Sequence, residues 1–188
     1  MIDQEKIRLH VRGILEALGA DPECEGLKDT PERVSRMAAE VFEGMNYSND
    51  EIAAMFDKTF DEPGAAEETN VVVLRDIGFF SYCEHHLALM YDMKATVAYV
   101  PKGRVIGLSK IVRIVEMAGK RLQLQERIGC DIADIMTKVT GSEDVAVLIS
   151  GKHSCVTARG IKNQNTVTET AELRGAFRHD PSLQFYLK

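Results

Sequence analysis

Two short clusters, Cys83-Glu84-His85-His86 and His153-Ser154-Cys155, constrain what this chain can fold into more than any other feature. They stand far apart in sequence, so a fold that uses both must bring the chain back to one place. Cys83-x-x-His86 has the spacing at which a tight turn aims two side chains at one metal ion. Cys155 can complete the set, giving two thiolates and one imidazole with a fourth position left for water. Three protein ligands plus water is the arrangement of catalytic zinc, whereas structural zinc usually closes with four protein ligands. His85 and His86 are neighbours. The spacing favours His86 as ligand, with His85 as the alternative, and the histidine left free can carry protons because an imidazole titrates near neutral pH.

Composition sets the context. A chain of 188 residues suits one domain and can bury a proper core. Its hydrophobic share of 45% and charged share of 28% are ordinary globular values. The net charge of −6 argues against a nucleic-acid-binding surface. No apolar run has membrane-spanning length, and Met1 to Lys6 lack a signal-peptide pattern, so the expected location is the cytoplasm. In that reducing compartment the four cysteines read as metal or catalytic residues rather than as a disulfide framework. Only Cys83 and Cys155 have histidine neighbours. Cys24, in a polar connector, and Cys130, in an apolar helical pattern, carry no such signal.

The periodicity changes character along the chain. A helix is expected from about Gln4 to Leu18, with Ile7, Val11, Ile14, Leu15 and Leu18 as its apolar stripe and Gly19 as the stop. A second begins at Thr30-Pro31, with Thr30 as N-cap and Val34, Met37, Ala38, Val41 and Phe42 inward. A short third helix is capped by Asn49 or Asp50. An acidic connector, Asp61 to Thr69, then closes an N-terminal helical segment, 1–68, ahead of a catalytic domain, 69–188. Val71 to Leu74 and Ile77 to Phe80 read as strand leading into the first cluster, and Lys94 to Val100 as its partner. Ser109 is the expected N-cap of a helix from Lys110 to Gly119, followed by another from Gln123 to Val139. Val145 to Ser150 is a short apolar strand, and a last strand carries His153 to Ile161. The order is ββααββ, an α+β domain with helices on one face of an antiparallel sheet.

On a strand, residues of equal parity share a face, so His153, Cys155, Thr157 and Arg159 are expected to line one side. Lys110 and Arg113 share a helix face in a first turn, where free N–H groups and the helix dipole favour an anion. Arg159 adds a third cation that can converge on phosphates. Gln125-Glu126 can read an amide and amine edge such as that of guanine, and equally well suits an ordinary first helical turn.

Together these pieces resemble the GTP cyclohydrolase I family. The likeness is carried by Ser81-Tyr82-Cys83-Glu84-His85-His86, Gly107-Leu108-Ser109-Lys110, Arg121-Leu122-Gln123-Leu124-Gln125-Glu126-Arg127, His153-Ser154-Cys155, Arg159-Gly160 and Asp29-Thr30-Pro31-Glu32-Arg33-Val34. The resemblance implies a tunnelling fold whose sheets join into a barrel, in a homodecamer of two stacked pentamers. It implies Zn²⁺ held by Cys83, His86 and Cys155, and GTP as substrate, with formate and 7,8-dihydroneopterin triphosphate as products. By the same likeness a zinc-activated water attacks guanine C8, and His153 and His85 move protons. Glu126 with Gln125 holds the guanine edge and Ser109 contacts the ribose. Lys110, Arg113, Arg159 and, as a further candidate, Arg33 hold the triphosphate, some of them from a neighbouring subunit. No nucleic acid or membrane partner is implied. Three departures stand out. The spacer Leu87 to Met93 is one residue longer than the family's, with Met93 where a glycine is usual. Thr168 to Gly175 is about two residues longer, and residue 154 is Ser where a bulkier side chain is common.

Two other readings compete. A relative acting on a different purine or pterin fits Gln125-Glu126 and the three cations less well. A purely structural zinc needs a fourth protein ligand, and the spare candidates Cys24, Cys130, His10 and His179 form no metal-ligand pair.

Overall fold

A computed structural model describes residues 1–66 and 70–187. The boundary expected between residues 68 and 69 lies outside the described residues. The N-terminal part contains α1 (Gln4–Ala17), α2 (Thr30–Val41), α3 (Asn49–Met55) and a short strand β1 (Thr59–Asp61). Then come β2 (Val72–Cys83), β3 (Ala88–Tyr99), β4 (Arg104–Ile106), α4 (Leu108–Gly119), β5 (Leu122–Gln123) and α5 (Gln125–Thr140). The chain ends with β6 (Val145–His153), a single helical turn α6 (Ser154–Thr157), β7 (Thr168–Leu173) and α7 (Pro181–Phe185).

The main sheet has the order β5-β2-β3-β6-β7 and is antiparallel except where β5 pairs with β2. Setting aside the short β4 and β5, the run is ββααββ, as expected. α4 and α5 cover one face. Ile111, Ile114, Val115 and Ala118 of α4 and Ile128, Ile132 and Ile135 of α5 are fully buried against Ala95, Val97, Tyr99, Val145 and Val147. The apolar spacing of both helices is the reason: each turns one continuous stripe to the sheet. Close approach of α4 to β2 requires Gly119, where an added Cβ lies 2.8 Å from the Phe80 carbonyl oxygen. One end of the opposite face is capped by Phe177 and Leu183, packed on Ala98 and Ala146.

Several local expectations change. The last strand is not 153–161. β6 runs unbroken from Val145 through His153, and the chain then coils into α6 because Ser154 Oγ donates to Leu89 O at 2.6 Å. The parity argument over 153–159 therefore fails, since Cys155 and Thr157 stand on a helical turn. The final strand is β7, within the longer segment Thr168 to Gly175, where no strand was expected. Three caps also shift by one or two residues: Gly107 precedes α4, Asp29 precedes α2, and Ser48 caps α3 in a reciprocal box with Glu51. Ile14 of α1, Leu18 just after it and Met37 of α2, read as inward, are exposed. The longer spacer after His86 contains a bulge between Tyr91 and Lys94, with Asp92 at φ 51 and Met93 buried.

Arg121 ties the N-terminal part to the sheet domain. Its guanidinium donates to Gly44 O, Tyr47 O, Asn49 Oδ1 and Asp131 Oδ2, at 2.8–3.1 Å. Asp131 also accepts from Gln123 Nε2 at 2.7 Å, and Gln123 lies opposite Cys83 in the β2–β5 pairing. Arg121 and Asp131 are both largely buried, so this network braces the strand end that carries the first cluster.

Candidate metal centre

β2 delivers Cys83 to the end of the sheet, and four residues turn the chain back into β3. Leu87 takes the turn's left-handed position at φ 52, and His86 N donates to Cys83 O at 3.4 Å. Glu84 holds the turn from outside: its N–H donates to Gln123 O at 3.1 Å, and its carboxylate takes a two-pronged contact from Arg127 at 2.6 and 3.2 Å. The Arg127 guanidinium keeps the Glu84 carboxyl below its usual range against the opposing effect of burial, with His85 adding to it. On the neighbouring strand, His153 pairs with Met90, so α6 begins beside the same turn.

Cys83, His86 and Cys155 converge there, their ligand atoms all within 4.8 Å of one another. Burial pushes the Cys155 thiol up, the Cys83 thiol beside it pushes in the same direction, and Arg159 opposes both. A buried sulfur and a half-buried one beside it cannot both ionise cheaply without a cation between them. Two soft thiolates and an imidazole suit a zinc-like ion, which takes sulfur at about 2.3 Å and nitrogen at about 2.0–2.1 Å, so only a small contraction is needed. Among the described residues no fourth His, Cys, Asp or Glu joins the group. Of the three, Cys83 is buried, Cys155 half-buried and His86 exposed.

Four more of the expected residues gather at this centre. His153 is half-buried, and its ring Nε2 lies 2.7 Å from Gln125 Oε1. Burial lowers its pKa while Glu126, exposed at the start of α5, raises it. Arg159 Nη1 lies 2.7 Å from His86 Nε2. His85 is exposed, its ring centroid 6.4 Å from that of His86. Gln125 is a surprise: it is 1% exposed, and its amide is spent on the protein itself.

Ser109, Lys110, Arg113 and Arg33 are elsewhere. α4 starts where Gly107 N donates to Lys58 O, next to β1, and where Ile106 N donates to Tyr99 Oη. Tyr99 pairs with Val72 and Val145, the ends of β2 and β6 opposite to Cys83 and His153. Only the last turn of α4 reaches the metal end, and a 12-residue helix spans about 18 Å. Ser109 and Arg113 are exposed, and Arg33, near the start of α2, pairs with Asp29 at 3.3 Å. Within one chain these cations do not meet the sulfur cluster.

Arg121, the Glu84–Arg127 pair and Ser154 carry no role that their residue types announce. All three hold the two clusters in place. The only signal that could have found them is their position inside or beside the motifs.

A family profile described as GTP cyclohydrolase I matches residues 7–186. The GTP cyclohydrolase 1 of Clostridium botulinum (strain Loch Maree / Type A3) is 60% identical over 182 residues, covering 96% of this chain and 93% of that protein. The proteins of the same name from Clostridium acetobutylicum and Ruminiclostridium cellulolyticum are 59% and 58% identical, each covering 97% of this chain and 94% of theirs.

Proposed function

The chain belongs to the GTP cyclohydrolase I family and is a GTP cyclohydrolase, and from the site described above we propose that it is a zinc enzyme. It hydrolyses GTP at guanine C8, releases formate and forms 7,8-dihydroneopterin triphosphate, the first step of pterin and folate synthesis, in the cytoplasm. The observation that carries this reading is the convergence of Cys83, His86 and Cys155 on one point with His153 beside it.

Cys83, His86 and Cys155 hold the ion, which when bound supplies a Lewis acid that brings a water's pKa down toward ~7. His153, whose pKa burial lowers against the pull of Glu126, accepts a proton as water adds across the ring and returns it as the C–N bond breaks. His85, exposed at the rim, exchanges protons with solvent. Glu126 takes the guanine amide and amine edge, and Arg159 reaches the phosphates from the metal side. Ser109 meets the ribose, and Lys110, Arg113 and Arg33 meet the triphosphate.

Because Ser109, Lys110 and Arg113 lie at the far end of α4 and Arg33 near the start of α2, a neighbouring subunit provides this set. Two open sheet edges support such an assembly: among the described residues β7 has a partner on one side only, and β2 is covered by β5 only at Tyr82 and Cys83. An uncovered edge invites pairing with another chain. The assembly is a homodecamer of stacked pentamers.

Zinc-replete incubation with GTP, followed by formate release and the fluorescence of the oxidised pterin, tests this. Wild type forms both products. Cys155→Ala forms neither, and His153→Ala slows by about 10²–10⁴-fold. No product from zinc-loaded, assembled wild type shifts the reading to a different purine or pterin, and a fourth protein ligand on the zinc shifts it to a structural ion.

A further inference from the structure

Gln125 opens α5, yet its side chain points inward and is 1% exposed. Its amide nitrogen lies 3.1 Å from Ile149 O and 3.0 Å from Thr168 O, with Thr170 Oγ1 at 3.4 Å. The first two partners are backbone carbonyls of β6 and β7, which can only accept. The amide is therefore fixed in one orientation, because turning it over sets its oxygen against two other oxygens. Oε1 faces His153 Nε2 at 2.7 Å and must accept. His153 Nε2 must then be the donor, and it keeps its hydrogen whatever the ring's charge.

The pocket wall is tight. A Cβ on Gly151 comes within 2.9 Å of the buried Met93 side chain and 3.6 Å of Gln125 Oε1. The amide thus has little room to swing away from the ring.

We propose that Gln125 is a positioning residue: it locks His153 with Nε2 as donor and leaves Nδ1 as the one ring atom that takes and returns the proton during GTP ring opening. This rests on the reading of His153 as the proton carrier. It also removes Gln125 from the guanine edge and leaves that contact to Glu126, which is exposed one residue further on. A side chain whose amide donates to two carbonyls and accepts from an imidazole has little left to offer a substrate.

The test is ¹⁵N NMR of zinc-loaded protein carrying labelled histidine, in mildly alkaline buffer, with His153→Ala to identify the resonances. Wild-type His153 is expected to show a pyrrole-type Nε2 and a pyridine-type Nδ1. The reverse pattern, or an average of the two tautomers, overturns the inference. Gln125→Met then removes the lock at nearly constant volume. Its kcat is expected to fall about 10–100-fold with KM for GTP within about twofold, zinc content unchanged and the two tautomers mixed. A raised KM with kcat retained, together with a lost preference for GTP over inosine 5′-triphosphate, overturns it in favour of guanine reading by Gln125. The two proposals fail separately. Formate release by a protein with the opposite tautomer sinks only the lock, and the expected tautomer in a protein that releases no formate sinks only the reaction.

Discussion

The two ends of the sheet are built on different terms. At the Cys83 end the ligand turn, Cys155 and His153 are each held by their own chain. The turn is pinned by Glu84 and Arg127, Cys155 follows a serine bonded to Leu89 O, and His153 is gripped by a buried glutamine. At the Tyr99 end, where α4 begins, Ser109 and Arg113 stand exposed with no side-chain partner among the described residues. Bond-making chemistry needs geometry fixed to a fraction of an ångström, whereas a triphosphate can be met by long cations that order only when it arrives. On the proposed reading, the metal end is a finished half of an active site and the cation end is a half offered to a neighbouring subunit.

The sharpest way to break this comparison is to remove a metal ligand. Cys83→Ala is expected to lose bound zinc, measured by elemental analysis, and to lose turnover by about 10³-fold or more. A variant that keeps both means the sulfur cluster is not the catalytic centre. Next is Arg121→Ala, which strips partners from the buried Asp131 and from the N-terminal part. It is expected to cost ~3 kcal/mol in denaturant unfolding, because a buried charge is left unpaired. An unchanged midpoint means the metal end does not depend on that brace.

Smaller effects sharpen the other half. Lys110→Ala and Arg113→Ala are expected to raise KM for GTP about 10–100-fold each, since a charge-assisted hydrogen bond contributes ~1.5–3 kcal/mol, while zinc content stays at the wild-type value. Subunit exchange between Cys83→Ala and Lys110→Ala proteins gives the finest test. If the ends of different chains form one site, about a quarter of the sites regain both halves under random mixing. A mixture no more active than its parents places both halves in one chain.

Much of the metal end was legible in the sequence because ligand chemistry is local. Cys-x-x-His fits one turn, and a second Cys with a His neighbour is uncommon enough to be noticed. The helices α4 and α5 were legible too, through stripes that the structure buries completely. What failed depended on partners distant in sequence. The step from strand to helical turn after His153 is set by Leu89 O, which nothing near Ser154 announces. β7 alternates half-buried Thr168 and Thr170 with exposed Glu169 and Ala171, a polar pattern that suits an edge strand and reads equally well as loop. β1 and β4 are three residues each and exist through their mutual pairing, too short for any periodicity. Gln125 looked like a surface residue of a first helical turn because only the β6 and β7 carbonyls draw it inward.

The most direct measurement is a zinc titration of metal-depleted protein, with formate release from GTP followed at each addition. The account predicts activity that starts near zero, rises in proportion to zinc and stops rising at one ion per chain. Formate released at full rate by the metal-free protein, or one tightly held ion per chain with no formate released, contradicts it.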